Sequence, residues 1–312
     1  MNFDYFRKWC MNKAINIIVV AFFLLFVIFI IFVAGISSGF QPIPASAKIV
    51  TKSSKNDDSE EVESPYSEKM DLSEMMFAST TSLSTKKIEW GIKRANNHEQ
   101  PDLGQTNKKI IDEFDGMAIG NNKDPYIYLT FDVGYEGGFT NKILDDLKSN
   151  SVKAAFFVTG QFVKTNPEIL QKMIEEGHIV GNHTVNHKSM PECSDEIIQK
   201  ELMDLHQSIY EKYNYEMKYM RPPKGEYSER SLAYVQKLGY KPVMWSFAYD
   251  DWENDKQGRE DYGKKKILDN LHNGEIMLLH ATSKDNANIL DYVIKEIKKQ
   301  GYDFKTLDEF CK

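Results

Sequence analysis

Hydrophobic and polar positions alternate along this chain in three distinct regimes. From Ala14 to Ala47 no charged residue occurs, and the core of that stretch, Ile17–Ile36, is 20 residues of almost unbroken apolar sequence. As a helix, that length matches a hydrocarbon layer of about 30 Å. Arg7, Lys8 and Lys13 precede it and the next basic residue is Lys48. The positive-inside bias therefore predicts a cytoplasmic segment over 1–13, a transmembrane anchor over 14–36, and an exported remainder. Ala45-Ser46-Ala47 offers small residues that a signal peptidase could cut, which would release the protein after Ala47. The apolar stretch exceeds the roughly 7–15 residues usual for a signal peptide, so a retained anchor is the reading taken. From Lys48 to Lys87 serine, acid and lysine dominate. So little apolar surface cannot offset the entropy of ordering the chain, and 37–87 reads as a flexible extracytoplasmic stalk.

From Tyr126 onward the period switches regularly between two and 3.6. Strands are predicted at Ile127–Phe131, Ala154–Val158, Ile179–Asn182, Tyr219–Arg221, Pro242–Ser246, Ile276–Leu279 and near Phe304. Amphipathic helices are predicted at Asn141–Leu147, Pro167–Glu176, Asp195–Tyr213, Ser228–Leu238, Gly263–Leu271 and Ala287–Lys299. Pro167 and the run Ser194-Asp195-Glu196 suit helix starts, and Gly177, Gly239 and Gly301 suit helix ends. Alternating β-α units imply a parallel sheet, doubly wound or closed as a barrel. Asp132, His183, Asp250 and His280 fall at or shortly past the ends of four different strands, and Arg221 ends another. A (β/α) barrel gathers such ends on one face, so a barrel domain over 88–312 is the prediction.

Composition adds exclusions. The formal charge is −7, with no basic patch interleaved with aromatics, so no nucleic-acid partner is expected. Of the three cysteines, Cys10 lies before the predicted anchor and cannot meet Cys193 or Cys311. Whether those two pair is not decided by spacing, and two free thiols is the default.

The candidate chemistry centres on His183-Thr-Val-Asn-His187. Two imidazoles four residues apart in a strand-to-helix turn can reach one ion from the same side, although many such pairs are surface or capping histidines. Asp132 before glycine serves most simply as a turn former, and at a metal site it would be a general base toward water. His280, which ends Ile-Met-Leu-Leu-His, is a core histidine or the general acid for a leaving nitrogen. Arg221 is a surface cation before a rigid Pro-Pro turn, or the partner that fixes a carboxylate. Asp251-Trp252 offers a carboxylate to orient a histidine and an aromatic wall for a sugar ring, though Trp252 also suits a core. Tyr135 and Pro222 join Trp252 as candidate substrate-binding residues.

The segments Thr-Phe-Asp-Val-Gly (130–134), His-Thr-Val-Asn-His (183–187), Arg-Pro-Pro-Lys-Gly (221–225), Asp-Asp-Trp (250–252) and Leu-Leu-His (278–280) occur in that order. Together the set resembles the NodB-type polysaccharide deacetylases of carbohydrate esterase family 4, over about Ile127–Phe310. The lead-in Glu-Trp-Gly-Ile-Lys-Arg (89–94), with Trp-Ser-Phe-Ala-Tyr-Asp-Asp-Trp (245–252), looks like the subgroup of delta-lactam-biosynthetic de-N-acetylases of spore formers.

That resemblance implies a distorted (β/α)7 barrel and metal-dependent de-N-acetylation of N-acetylmuramic acid in peptide-stripped peptidoglycan. The freed amine would close to muramic delta-lactam in spore cortex. It implies action on glycan strands after a muramoyl-alanine amidase, from a membrane-tethered position outside the cytoplasm such as the forespore intermembrane space. It also places 89–126 in the catalytic domain. Carried over, Asp132 resembles the base held by Arg221, His280 the acid oriented by Asp251, and His183 and His187 the ligands of a divalent ion. Zinc is the chemical default, with cobalt, nickel and manganese admitted. The family pattern has a second aspartate as third ligand where this chain has Val133, which cannot bind metal. The expectation is an active but metal-poor site, with Glu136 as a remote helper. Two alternatives stand: deacetylation of N-acetylglucosamine in peptidoglycan or a chitin-like glycan, and an inert glycan-binding barrel.

Overall fold

The computed structural model of the protein describes residues 82–312. The predicted anchor, Cys10 and the predicted stalk up to residue 81 lie outside them. Among the described residues no helix is long and apolar enough to cross a membrane.

The strands are β1 (Ile88–Glu89), β2 (Tyr126–Val133), β3 (Ala155–Val158), β4 (Ile179–Asn182), β5 (Tyr219–Met220), β6 (Glu226–Tyr227), β7 (Lys241–Pro242), β8 (Glu275–His280) and β9 (Asp303–Phe304). The main sheet runs β7-β5-β4-β3-β2-β8, with β9 also on β2, and every pairing in it is parallel. The helices are α1 (Gln105–Glu113), α2 (Thr140–Ser149), α3 (Gly160–Thr165), α4 (Pro167–Glu175), α5 (Asp195–Tyr213), α6 (Glu229–Lys237), α7 (Glu260–Asp269) and α8 (Lys284–Lys299).

The period-two pattern of β2 decides the layers. Ile127, Leu129, Phe131 and Val133 share a cluster with Ile143 and Leu144 of α2 and Val293 and Ile294 of α8. Tyr128 on the opposite face packs instead with Phe157, Val243 and Ile276, inside the curl of the sheet. Thr130 and Asp132 share that inner parity. Each large apolar side chain so buried contributes about 1.5–3 kcal/mol, which fixes the register and hence which side chains face inward.

The fold is thus the expected α/β type, a curled sheet of parallel strands, and the strand predicted over Pro242–Ser246 is where the regular pattern breaks. Only Lys241–Pro242 is strand. Beyond Pro242, the chain passes from one neighbour to the next: Val243 N donates to Met220 O, Met244 N to Met117 O, Ser246 N to Ile276 O, and Phe247 O accepts from Leu278 N. This irregular segment spans the gap between β7 and β8 with single bonds in place of a ladder.

The lead-in belongs to the domain. Trp90, Leu103, Ile110, Ile111 and Phe114 form a second cluster with Tyr227, Leu232 and Met244. β1 pairs antiparallel with β6, and Ser84 already bonds Glu229 and Arg230. Cys193 is buried and Cys311 exposed, both as free thiols.

Candidate active site

β2 and β8 are register neighbours, with Asp132 opposite His280. The two side chains expected to act as base and acid therefore stand on adjacent strands, whose spacing is about 4.8 Å.

Arg221, wholly buried, follows β5 and reaches across the sheet interior. Its Nη1 donates to Asp132 Oδ1 at 2.8 Å, Nη2 to Thr130 Oγ1 at 2.9 Å and Met244 O at 3.3 Å, and Nε to Val243 O at 3.0 Å. The guanidinium also lies 4.2 Å from the Phe157 ring centroid. Burial alone would raise the Asp132 pKa, but Arg221, His183 and His280 outweigh it and hold the carboxyl below its ordinary value. Asp132 Oδ2, on the side away from Arg221, lies 3.4 Å from His183 Nε2.

His183 follows β4. Its Nδ1 sits 2.8 Å from Arg221 O. A carbonyl only accepts, so Nδ1 carries the proton and Nε2 presents a lone pair. His187 Nε2 is 3.1 Å from that atom. The turn between them is held locally: Thr184 and His187 have positive φ of 67° and 55°, and Thr184 Oγ1 accepts from His187 N. Burial lowers the pKa of both imidazoles, that of His187 to about 4.

This pair fits a metal ion. Two nitrogens bound at about 2.0–2.1 Å in a tetrahedral shell stand roughly 3.3 Å apart, close to the observed spacing, and both rings are neutral as ligation requires. Among the described residues no group of three His, Cys, Asp or Glu comes together to hold a metal. His183 and His187 would thus be the protein's share of the ligands of such an ion. Val133 adds nothing, because its side chain is fully buried in the helix-facing cluster. Glu136, expected as a remote helper, is engaged elsewhere: its Oε1 accepts from Gly138 N and Thr140 N at the start of α2.

Asp251 meets His280 twice, Oδ1 with the ring Nδ1 at 2.8 Å and Oδ2 with the backbone N at 2.7 Å. Burial would lower the His280 pKa, but Asp251 and Asp132 outweigh it and raise it above the ordinary value. Trp252 is half exposed beside it, with ring centroids 5.7 Å apart, and Tyr135 is exposed on the loop after β2. Pro222 departs from expectation. It is buried beneath the turn, where it shapes the backbone and offers a ligand little surface. Asp250 points away from Asp251, to Arg259 and the Tyr262 hydroxyl.

Three residues escaped the sequence reading. Thr130 shares the parity of Asp132, which was a usable signal. Glu201 on α5 accepts from Asn186 N and Nδ2 at 2.7 and 2.8 Å and so pins the histidine turn. It stands among Ile198, Leu202 and Leu205 on the buried stripe of its helix, where an acid is out of place without a partner. Lys224 has a φ of 60°, and its charge helps to lower the His187 pKa.

The polysaccharide deacetylase family profile matches residues 119–243. The peptidoglycan-N-acetylmuramic acid deacetylase PdaA of Bacillus subtilis is 43% identical over 71% of this chain and 85% of its own length. The solved structure of B. subtilis PdaA, described as a family 4 carbohydrate esterase, superposes with a TM-score of 0.71 and 41% identity, covering 73% of this chain and 98% of that one. A Bacillus cereus peptidoglycan-N-acetylglucosamine deacetylase is 33% identical over 61% of this chain and 90% of its own length.

Proposed function

The chain belongs to the polysaccharide deacetylase family of carbohydrate hydrolases, and from that premise we propose that it removes the acetyl group from N-acetylmuramic acid in peptidoglycan. The observation that carries this substrate is the 43% identity to PdaA across 85% of that enzyme. The chemistry rests on the two assembled pairs, Arg221–Asp132 and Asp251–His280.

Deacetylases of this family are generally metal-dependent. His183 and His187 would hold a divalent ion, zinc by the preference of open histidine sites, which would supply Lewis acidity toward water and the acetyl carbonyl. Asp132 has one oxygen tied to Arg221, which leaves Oδ2 to take a proton from the attacking water. Its lowered pKa keeps it ionised for that task. As the C–N bond breaks, the amine needs a proton. His280 is bound through Nδ1 to Asp251, so delivery falls to Nε2. The products are acetate and a free muramic amine.

The amine then closes on the lactyl carboxyl to give muramic delta-lactam, a step that needs the peptide already removed by an amidase. The apolar segment Ile17–Ile36 tethers the domain to the membrane, with the barrel outside the cytoplasm in the forespore intermembrane space.

The test incubates the full chain, in detergent, with amidase-stripped peptidoglycan and weighs the digested fragments. Loss of acetyl mass on muramic acid, followed by loss of water, is the expected result. Acetyl loss from glucosamine alone would move the substrate to the second sugar. Val133 favours a different second reading, an inert glycan-binding barrel, and unchanged fragment masses under any added divalent metal would establish it over catalysis.

A further inference from the structure

The Asp251 carboxylate has a third contact beyond the two it makes with His280. Its Oδ2 also accepts from Asn286 Nδ2 at 2.5 Å, and Asn286 Oδ1 accepts from the Tyr249 hydroxyl. Asn286 opens α8 and is 1% exposed, and Tyr249 lies in the loop before Asp251 and is 5% exposed. The Ser283 hydroxyl accepts from Asn286 N at 3.2 Å, which anchors the amide's own backbone.

The chain of bonds has one direction. A carboxylate only accepts, so the Asn286 amide must turn its NH2 to Asp251 and its oxygen to Tyr249, and the hydroxyl of Tyr249 must donate. Burial, with the charges of Asp251, Asp285 and Asp250 and against that of Arg259, keeps the phenol proton in place. Asp251 Oδ2 then faces two N–H groups and Oδ1 faces a third, so three donors hold the carboxylate in one orientation.

We infer that Tyr249 and Asn286 are positioning residues for His280: through Asp251 they fix the imidazole with its proton on Nδ1, which leaves Nε2 as the ring atom free to deliver a proton. The catalytic consequence rests on the deacetylase reading above, whereas the positioning does not. Around His280 the acids are Asp251, in contact, and Asp132 across the strand pair. Arg221 opposes them and the Trp252 ring lies alongside. Asp251 is therefore the anion whose state His280 senses most directly.

Asn286→Asp sets a second carboxylate against Asp251, and two carboxylates at hydrogen-bond distance share a proton. Part of the negative charge opposite His280 is then lost. Its pKa should fall by about one unit, the scale of losing a close opposite charge. The readout is the pH dependence of His280 labelling by diethyl pyrocarbonate, followed by peptide mass spectrometry on the full chain in detergent. This needs neither substrate nor metal, and the His280 side chain is 22% exposed to the reagent. Tyr249→Phe should shift the midpoint less, and in an Asn286→Ala background it should shift nothing further, because the link is already cut.

In parallel, acetate release by Asn286→Asp should fall roughly 10-fold, the scale of outer-partner losses, with KM unchanged. Variants that melt as cooperatively as the parent yet label His280 with the parent's midpoint would overturn the inference. A parent chain that labels as expected but releases no acetate would support the positioning and overturn the deacetylase reading instead.

Discussion

Arg221 is the residue on which the site turns, because its guanidinium is fully buried and Asp132 is its counter-charge. Arg221→Met leaves the Asp132 carboxylate inside the sheet without a partner, which should destabilise the protein by about 3–5 kcal/mol. Urea unfolding measures this, and a loss below about 1 kcal/mol would mean that the pair is as replaceable as a surface bridge. Asp132→Asn keeps the volume and an oxygen for Arg221 Nη1 but removes the counter-charge of the buried guanidinium, so it too should destabilise the protein, while acetate release disappears. On the proposed reading, Val133 limits metal binding in the same local way. With two histidines as the protein's share of ligands, the purified chain should carry less than one ion per site. Dialysis against a chelator should abolish activity and added zinc restore it. Full occupancy by elemental analysis, with activity unchanged by the chelator, would show that two histidines bind as tightly as a complete set.

Among the elements, the turn after β5 carries the most constraint. Gly225 has a φ of +67°, and a Cβ there would stand 2.7 Å from the Trp245 ring and 3.1 Å from Trp90 Cβ. Gly225→Ala should cost about 1–2 kcal/mol from the backbone conformation alone and displace β6 from β1. A melting temperature equal to the parent's would show that the lead-in strand is not braced there. This turn also marks where the sequence stops being legible. Strands whose both faces are buried announce themselves as apolar runs, so β3, β4 and β8 were readable to within a residue, as was the 19-residue helix α5. α7 and α8 begin three residues before their apolar stripes, on polar first turns; for α8 the start is fixed by Ser283 Oγ, which caps it by accepting from Asn286 N. The two-residue ladder of β1 and β6 has no period to detect. In the site, the charged residues within the five segments could be read in advance, and residues outside them that hold them, Glu201 and Asn286, could not. Such residues are recognised by what they touch, and contact across 15 or 35 positions leaves no local pattern.

For the molecule as a whole, the least comfortable group is Glu275 at the start of β8. It is fully buried, Oε2 accepts from His272 N and lies 3.4 Å from the Nδ1 of the same residue, and among the described residues Oε1 has no hydrogen-bond partner. Burial raises its pKa well above the ordinary value. The folded state therefore keeps a proton that the unfolded chain gives up near pH 4.3. Stability falls as pH rises from there through the folded pKa, the reverse of a salt-bridged acid. Glu275→Gln removes this penalty, so it should raise the melting temperature by a few degrees at pH 8 and by nothing near pH 4. An equal gain at both would mean that packing, and not ionisation, is responsible. Arg221 carries a different consequence at this scale. Its acceptors come from β2, from Val243 and from Met244, segments separated by over a hundred residues of chain. A guanidinium cannot leave water until all of them arrive. A half-closed sheet would strand a bare cation, so a partly folded intermediate has little to stabilise it. Closing the sheet and assembling the Arg221–Asp132 pair would then be one event, so a chain that has closed its sheet has already built the centre of the candidate site.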